Sequence, residues 1–507
     1  MKKLLVIAQL IASTLWAQEV VVQTTEGKVE GYSKEKVRIF KGIPFAAPPV
    51  GALRWKAPQP AQHWSGVKKC TEFSASPIQN KPAPFYCWSE EFIAKPEPLS
   101  EDCLYLNVWT TAQSTQENLP VLVWIYGGGL SSGSANCDIY DGEEMAKKGV
   151  VFVSINYRVG ILGFMAHPEL TQESGYQASG NYGFLDQITA LKWIQKNIAA
   201  FGGDPSNVTI AGQSAGAFSV NALIASPLAK GLFHKAIPQS GGLLSRMLSQ
   251  DLAQSEKQGI KFMELAKASS VADLRKISVE ELQKLSNNQA AGRFGVTMDG
   301  YVLPTDILAH FKAGKHNQVP IMTGWVTGDG SFLGESKATV EDYKKEAQTT
   351  YGDKAEAFLR IFPATTNDEV KAMKQKQTMI GFAGLPSHLL ATFTSKSAYL
   401  YQFGHVPPDK PNFPNYGAFH TSEVPFALHT LHKWQRPWQP LDKDIENTMS
   451  SYWVNFAKTG NPNGAGLPEW KRYNKETGAI QVLGDKVYSQ EGLFKKEFDF
   501  LEVHSIK

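Results

Sequence analysis

Two pentapeptides in this 507-residue chain have the form G-x-S-x-G: Gly212-Gln213-Ser214-Ala215-Gly216 and Gly129-Leu130-Ser131-Ser132-Gly133. A serine in this pattern can attack an acyl group when it sits on a sharp strand-to-helix turn, raised above the sheet edge near a helix N-terminus. Context separates the two. Ser214 directly follows the strand-like run VTIAG and opens the helix-like stretch AGAFSVNALIAS. Glycines flank it because a side chain there would clash in so tight a turn. Ser131 lies in a loop rich in glycine and serine, with no helical pattern starting at once. Ser214 is the candidate nucleophile. The triplet Gly127-Gly128-Gly129 follows another strand-like run, VLVWIY. Three glycines let main-chain N–H groups approach a small anion closely, as an oxyanion hole requires.

The elements that must carry these residues are short apolar runs at 121–126, 150–156, 208–212, 319–324 and 398–403. They are rich in β-branched and aromatic residues without strict alternation, the pattern of strands buried on both faces. Helix-like stretches lie between them, with 185–199 the clearest. Strands alternating with helices predict an α/β fold with a large, mainly parallel sheet covered on both sides. The charged, helix-favouring regions 245–288 and 340–390 read as excursions from that sheet. Without internal repeats or a low-complexity linker, residues 18–507 are expected to form one domain.

The sequence resembles the type-B carboxylesterase and cholinesterase family of α/β-hydrolases, including its bacterial para-nitrobenzyl-esterase-like members. The resemblance rests on FKGIPFAAPPVGALRW (40–55), SEDCLYLNVW (100–109), VLVWIYGGG (121–129) and NYRVGILGF (156–164). It continues through GNYGFLDQITALKWIQKNIAAFGGDPSNVTIAGQSAGA (180–217) and YWVNFAKTGNPN (452–463). It implies a serine carboxylesterase acting through an acyl-enzyme, with no metal or organic cofactor. It also places oxyanion donors on the main-chain N–H groups of Gly128, Gly129 and Ala215. The family's acid falls on Asp329 in Val326-Thr327-Gly328-Asp329-Gly330-Ser331, where relatives usually carry Glu. Its histidine falls on His420, in Gly417-Ala418-Phe419-His420-Thr421-Ser422-Glu423. The order Ser214, Asp329, His420 is that of α/β-hydrolases. Two further departures bear on substrate preference: Gln213 replaces an acidic residue, and Tyr126 stands where many relatives have His.

Other residues read differently. His405 also follows the last strand-like run but lacks the surrounding pattern of His420. His429 and His432 could face one side of a helix as metal ligands, but with no third ligand evident they read as surface or packing residues. Trp325, Phe85 and Trp88 are candidate pocket walls. Trp88 does not keep the spacing to Cys103 of the family's choline-binding tryptophan, so a cholinesterase is not expected.

Hydrophobic content of 42% and charged content of 20% describe an ordinary globular chain. Lys2 and Lys3, the apolar stretch 4–16 and Ala17 have the form of an export signal, removed near residue 17. Without those two lysines, 49 basic residues face 48 acidic ones, which points to neither nucleic acid nor an anionic membrane as partner. The expected location is secreted or periplasmic, and the expected partner is a small-molecule ester. In an exported chain, Cys70, Cys87, Cys103 and Cys137 are expected to form disulfides with unspecified connectivity. The resemblance implies Cys103 as one participant, with Cys70 or Cys87 opposite. Two rival functions are a binding protein on the same fold that has lost catalysis and a serine peptidase. The first is disfavoured by competent groups at all three positions, and the second by the glycine loop and the SEDCLYLNVW resemblance.

Overall fold

The computed structural model describes residues 18–245, 249–410 and 414–504. The proposed export signal therefore lies outside the described residues. Thirteen strands form the main sheet: β1 (Gln18–Gln23), β2 (Lys28–Lys34), β3 (Val37–Pro44), β4 (Val67–Lys69), β5 (Tyr105–Thr110), β6 (Leu119–Ile125), β7 (Val151–Ile155), β8 (Gly203–Gln213), β9 (Lys235–Gln239), β10 (Ile321–Val326), β11 (Ala398–Phe403), β12 (Ile480–Leu483) and β13 (Val487–Gln490). Their spatial order is β1-β2-β3-β5-β7-β6-β8-β9-β10-β11-β12-β13, with β4 beside β2. From β7 to β12 every neighbouring pair is parallel. The first strands and the last hairpin are antiparallel.

The central runs behave as their composition dictates. β7 is buried at every position and β6 at all but its first. Strands covered on both faces gain from Val, Ile, Leu and Phe at consecutive positions, which erases the alternation of a half-exposed strand. Helix α1 (Tyr182–Asn197) buries twelve of its sixteen positions, and α2 (Ala215–Ala225) buries all of them. Both are interior layers rather than amphipathic covers. A buried ion pair ties α1 to the loop after β7: Arg158 Nε and Nη2 donate to Asp186 at 2.8 and 2.7 Å, and the Arg158 main-chain N–H adds a third bond at 3.0 Å.

The two helical excursions form where charge and capping residues predict. The first carries α3 (Leu252–Leu265), capped by Asp251, and α4 (Val279–Ser286), capped by Ser278. The second carries α5 (Val340–Tyr351), α6 (Asn367–Met379) and α7 (Leu385–Phe393). Thr339 and Thr366 close capping boxes on α5 and α6, each satisfying two otherwise unpaired donors. A π turn, Ile380–Gly384, joins α6 to α7 and carries Phe382 to the edge of the His420 ring. Helix α8 (Pro440–Thr459) follows the histidine loop. Among the described residues, no helix is long and apolar enough to cross a membrane.

The disulfide expectation is corrected. All four cysteines are free and buried, each packed into the apolar core rather than against another cysteine. Burial pushes the thiols of Cys70, Cys87 and Cys137 up to about 12, and raises that of Cys103 as well. These are inert packing groups.

Candidate active site

Ser214 is the turn between the last residue of β8 and the first of α2. Its backbone takes φ +58° and ψ −122°, a conformation that costs free energy in any residue but glycine. The turn is held by the Ser214 N–H donating to Gln239 O at 2.9 Å, and by Phe218 N–H donating back to Ser214 O at 3.0 Å. The flanking glycines are demanded by β6. A Cβ on Gly212 would lie 2.6 Å from Ile125 O, and one on Gly216 only 2.0 Å from the same oxygen. Ser131, in contrast, is an exposed turn residue whose hydroxyl donates to Gly128 O at 3.3 Å.

The glycine loop leaves β6 beside this turn. Gly128 and Gly129 have φ +109° and +64°, and a Cβ on Gly128 would lie 2.3 Å from Ser132 O. Among the described residues, the N–H groups of Gly128, Gly129 and Ala215 find no hydrogen-bond acceptor. Unpaired donors at a loop and a helix N-terminus suit an oxyanion. Tyr126 anchors the root of the loop. It stacks on Tyr157 with centroids 4.4 Å apart, and each hydroxyl donates to the other's carbonyl at 2.9 Å. Tyr126 is fully buried and lies outside the cavity wall, so it holds the loop and does not contact substrate.

Asp329 and His420 come from the loops after β10 and β11. Gly328 N–H donates to Ala418 O at 3.0 Å, a backbone bridge that sets the two loops side by side. Asp329 is fully buried, and its Oδ1 accepts from His420 Nδ1 at 2.6 Å. Its Oδ2 accepts from the Val326 N–H at 3.1 Å. With the Nδ1 proton held by Asp329, Nε2 keeps its lone pair for a proton acceptor's role. Gln213 now meets that ring. Its amide nitrogen lies against the ring, 3.3 Å from Nδ1 and 3.2 Å from Nε2, and its oxygen accepts from Thr421 Oγ1 at 3.3 Å. Thr421 Oγ1 in turn accepts from Trp88 Nε1 at 3.0 Å. Thr421 holds φ +90°, rare for a β-branched residue, so these bonds stabilise a strained turn beside the histidine.

Ser214, His420, Gly128 and Gly129 all line one cavity of about 730 Å³. Phe85, Trp88 and Phe332 supply its aromatic wall. The Ser214 hydroxyl makes no hydrogen bond among the described residues. Trp325 is corrected: it is fully buried against Phe494 and Phe498, away from the cavity. A carboxylate partner alone does not distinguish His420. His388 pairs with Glu502, and His405 is clamped between Asp442 and Asp485 at 2.6 and 2.7 Å. Of these three, His420 alone shares the cavity with Ser214. His429 and His432 do not share a helix: His429 sits at φ +59° and bonds Ser450 at 3.0 Å.

Sequence reasoning passed over Glu423. It is fully buried three residues after His420, and neither carboxyl oxygen has a hydrogen-bond partner among the described residues. Its neighbours Gln239 and Ser240 also keep side-chain polar atoms unpaired. Burial, reinforced by the Asp329 charge, pushes the Glu423 carboxyl up to about 8. Burial therefore favours its neutral form.

A strand-borne serine elbow, a glycine loop and a His–Asp pair on successive loops of a mostly parallel sheet define an α/β-hydrolase of the esterase class. The chain belongs to the Carboxylesterase family, which matches residues 18–501. It is a carboxylic ester hydrolase of type B, acting on small-molecule esters. Among its relatives, it is 35% identical to the fumonisin B1 esterase of Sphingopyxis macrogoltabida, over 94% of this chain and 88% of that one. It is 32% identical to the para-nitrobenzyl esterase of Bacillus subtilis (strain 168), over 92% and 95% respectively. A solved PNB esterase structure superposes with a TM-score of 0.82 at 31% identity, covering 94% of this chain and 98% of that one.

Proposed function

We propose that Ser214 is the nucleophile of this esterase, His420 its general base and then acid, and Asp329 the group that orients His420. The observation that carries this is the shared cavity: a serine on a strained strand-to-helix turn, one carboxylate-held imidazole and unpaired main-chain donors beside it. As Ser214 Oγ bonds to the ester carbonyl carbon, its proton passes to His420 Nε2. The carbonyl oxygen becomes an oxyanion and takes the N–H groups of Gly128, Gly129 and Ala215. His420 then returns the proton to the departing alkoxide, leaving an acyl-serine. Water, losing a proton to the same Nε2, attacks that acyl group, and collapse frees the acid and restores Ser214.

A fluorophosphonate probe followed by peptide mapping tests the assignment. Labelling at Ser214, lost on prior ester turnover inhibition and in Ser214→Ala, is expected. Full aryl-ester activity in Ser214→Ala sinks the proposal. We also propose that residues 1–17 direct export and that 18–507 act as one catalytic domain. The first rests on the basic and apolar pattern of that segment, and the second is supported by the family match over 18–501. An extracytoplasmic protein beginning near residue 18 is the expected product, and retention of Met1 in that fraction overturns the export reading.

A further inference from the structure

The wall of the Ser214 cavity carries charge of one sign. Lys81 and Arg293 line it, and no aspartate or glutamate does among the described residues. The position before the nucleophile is the neutral Gln213. Arg293 lies between the 3-10 turn Gln289–Ala291 and the short strand Val296–Met298. Its Nη2 donates to Gly129 O at 3.1 Å, which ties the guanidinium to the loop bearing the unpaired N–H groups. No acidic group acts on it: burial is the sole influence on its proton affinity, and it lowers that affinity. Arginine nonetheless stays charged, and its planar fork has five N–H donors. Arg293 is exposed to solvent at this wall, so its charge is available to an anionic ligand entering the cavity. Lys81 is a weaker contributor. It also borders an outer groove where Glu97 and Glu280 offset its charge.

We propose that this site selects esters that carry a free carboxylate, with Arg293 the residue that recognises it. The inference rests on Ser214 being the nucleophile in the same cavity. A carboxylate would supply the missing counter-charge through charge-assisted hydrogen bonds, from either the acyl or the alcohol half of the ester. With no acid in the wall to oppose it, the cavity's field also draws anions in and repels cationic esters.

Two matched pairs of substrates test this at low ionic strength. Para-nitrophenyl hemiglutarate against para-nitrophenyl valerate places the charge on the acyl side. Para-acetoxybenzoate against para-acetoxybenzamide places it on the alcohol side. In at least one pair the charged ester is expected to be preferred in kcat/KM. The charged-to-neutral ratio should fall on the order of tenfold or more in Arg293→Gln, and further in Arg293→Glu. The pair that responds identifies the half of the ester that bears the carboxylate. Calorimetric titration with glutarate should rank the three proteins in the same order without any turnover. Absence of preference in both wild-type pairs, or a preference that survives in Arg293→Gln, overturns the proposal. Valerate turnover that persists in Ser214→Ala is a different failure, that of the nucleophile, and the glutarate titration still decides the role of Arg293.

Discussion

The amide nitrogen of Gln213 lies 3.3 Å from Nδ1 and 3.2 Å from Nε2 of His420, against the ring that must receive the nucleophile's proton. A carboxamide at this place donates to a neutral imidazole, whereas a carboxylate there would attract an imidazolium. Gln213→Glu is therefore expected to favour protonated His420 and to move the acid limb of kcat/KM to higher pH by about 1 unit. Gln213→Met removes both effects and should leave that limb nearer to wild type. A pH–rate profile that is identical in Gln213→Glu and wild type rules out this coupling.

The backbone bridge between Gly328 and Ala418 makes a second prediction. A Cβ on Gly328 would lie 2.5 Å from Ala418 O, a backbone atom that cannot swing aside. Gly328→Ala should push the acid loop off the histidine loop and lengthen the Asp329–His420 bond. Misplacement of about 1 Å in a catalytic group costs on the order of 10²-fold in rate. The expected result is a large fall in kcat with little change in KM, and wild-type kcat in Gly328→Ala would show that the bridge does not position Asp329.

These residues also show where the sequence stops being readable. Ser214 and the glycine loop were legible because each lies in a contiguous motif whose backbone demands glycine. Asp329 and His420, 91 residues apart, were legible through resemblance. Trp325 misled because nearness in sequence to Asp329 was taken for nearness to the cavity. It sits inside β10, where every position is buried. Strand β9 escaped notice because five residues that include Pro238 and Lys235 carry little pattern. Arg293 and Glu423 had no local signal at all. Their character comes from what surrounds them in space: a cavity wall without acids for the first, and burial beside Gln239, Ser240 and the Asp329 charge for the second.

Glu423 ties stability to pH. Its carboxyl is raised to about 8 in the folded chain, above its value when unfolded. The folded state therefore holds an extra proton across that window. Stability is fully present below the ordinary carboxyl range and is lost as pH rises toward 8, at up to about 1.4 kcal/mol per pH unit. Above pH 8 this loss levels off. Glu423→Gln keeps the neutral shape and should flatten the dependence. Denaturant melts at pH 6 and pH 9 check it, and an equal pH dependence in Glu423→Gln and wild type refutes it.

The Arg158–Asp186 pair makes the last prediction, and it separates pairing from burial. The Asp186 carboxylate is wholly buried and accepts three bonds from one residue, so removing its partner leaves a charge without solvent or counter-ion. Arg158→Met is expected to destabilise by about 3–5 kcal/mol. Asp186→Asn should cost a comparable amount, since the amide keeps an acceptor but leaves a buried guanidinium that cannot shed its proton. Adding Asp186→Leu to Arg158→Met removes the orphaned charge and should recover part of the loss, because well-packed apolar residues can replace a buried ion pair at little cost. Equilibrium urea unfolding of wild type, Arg158→Met, Asp186→Leu and the double variant measures the coupling. Strict additivity would mean that the two charges stabilise the link from β7 to α1 independently, against the geometry that joins them.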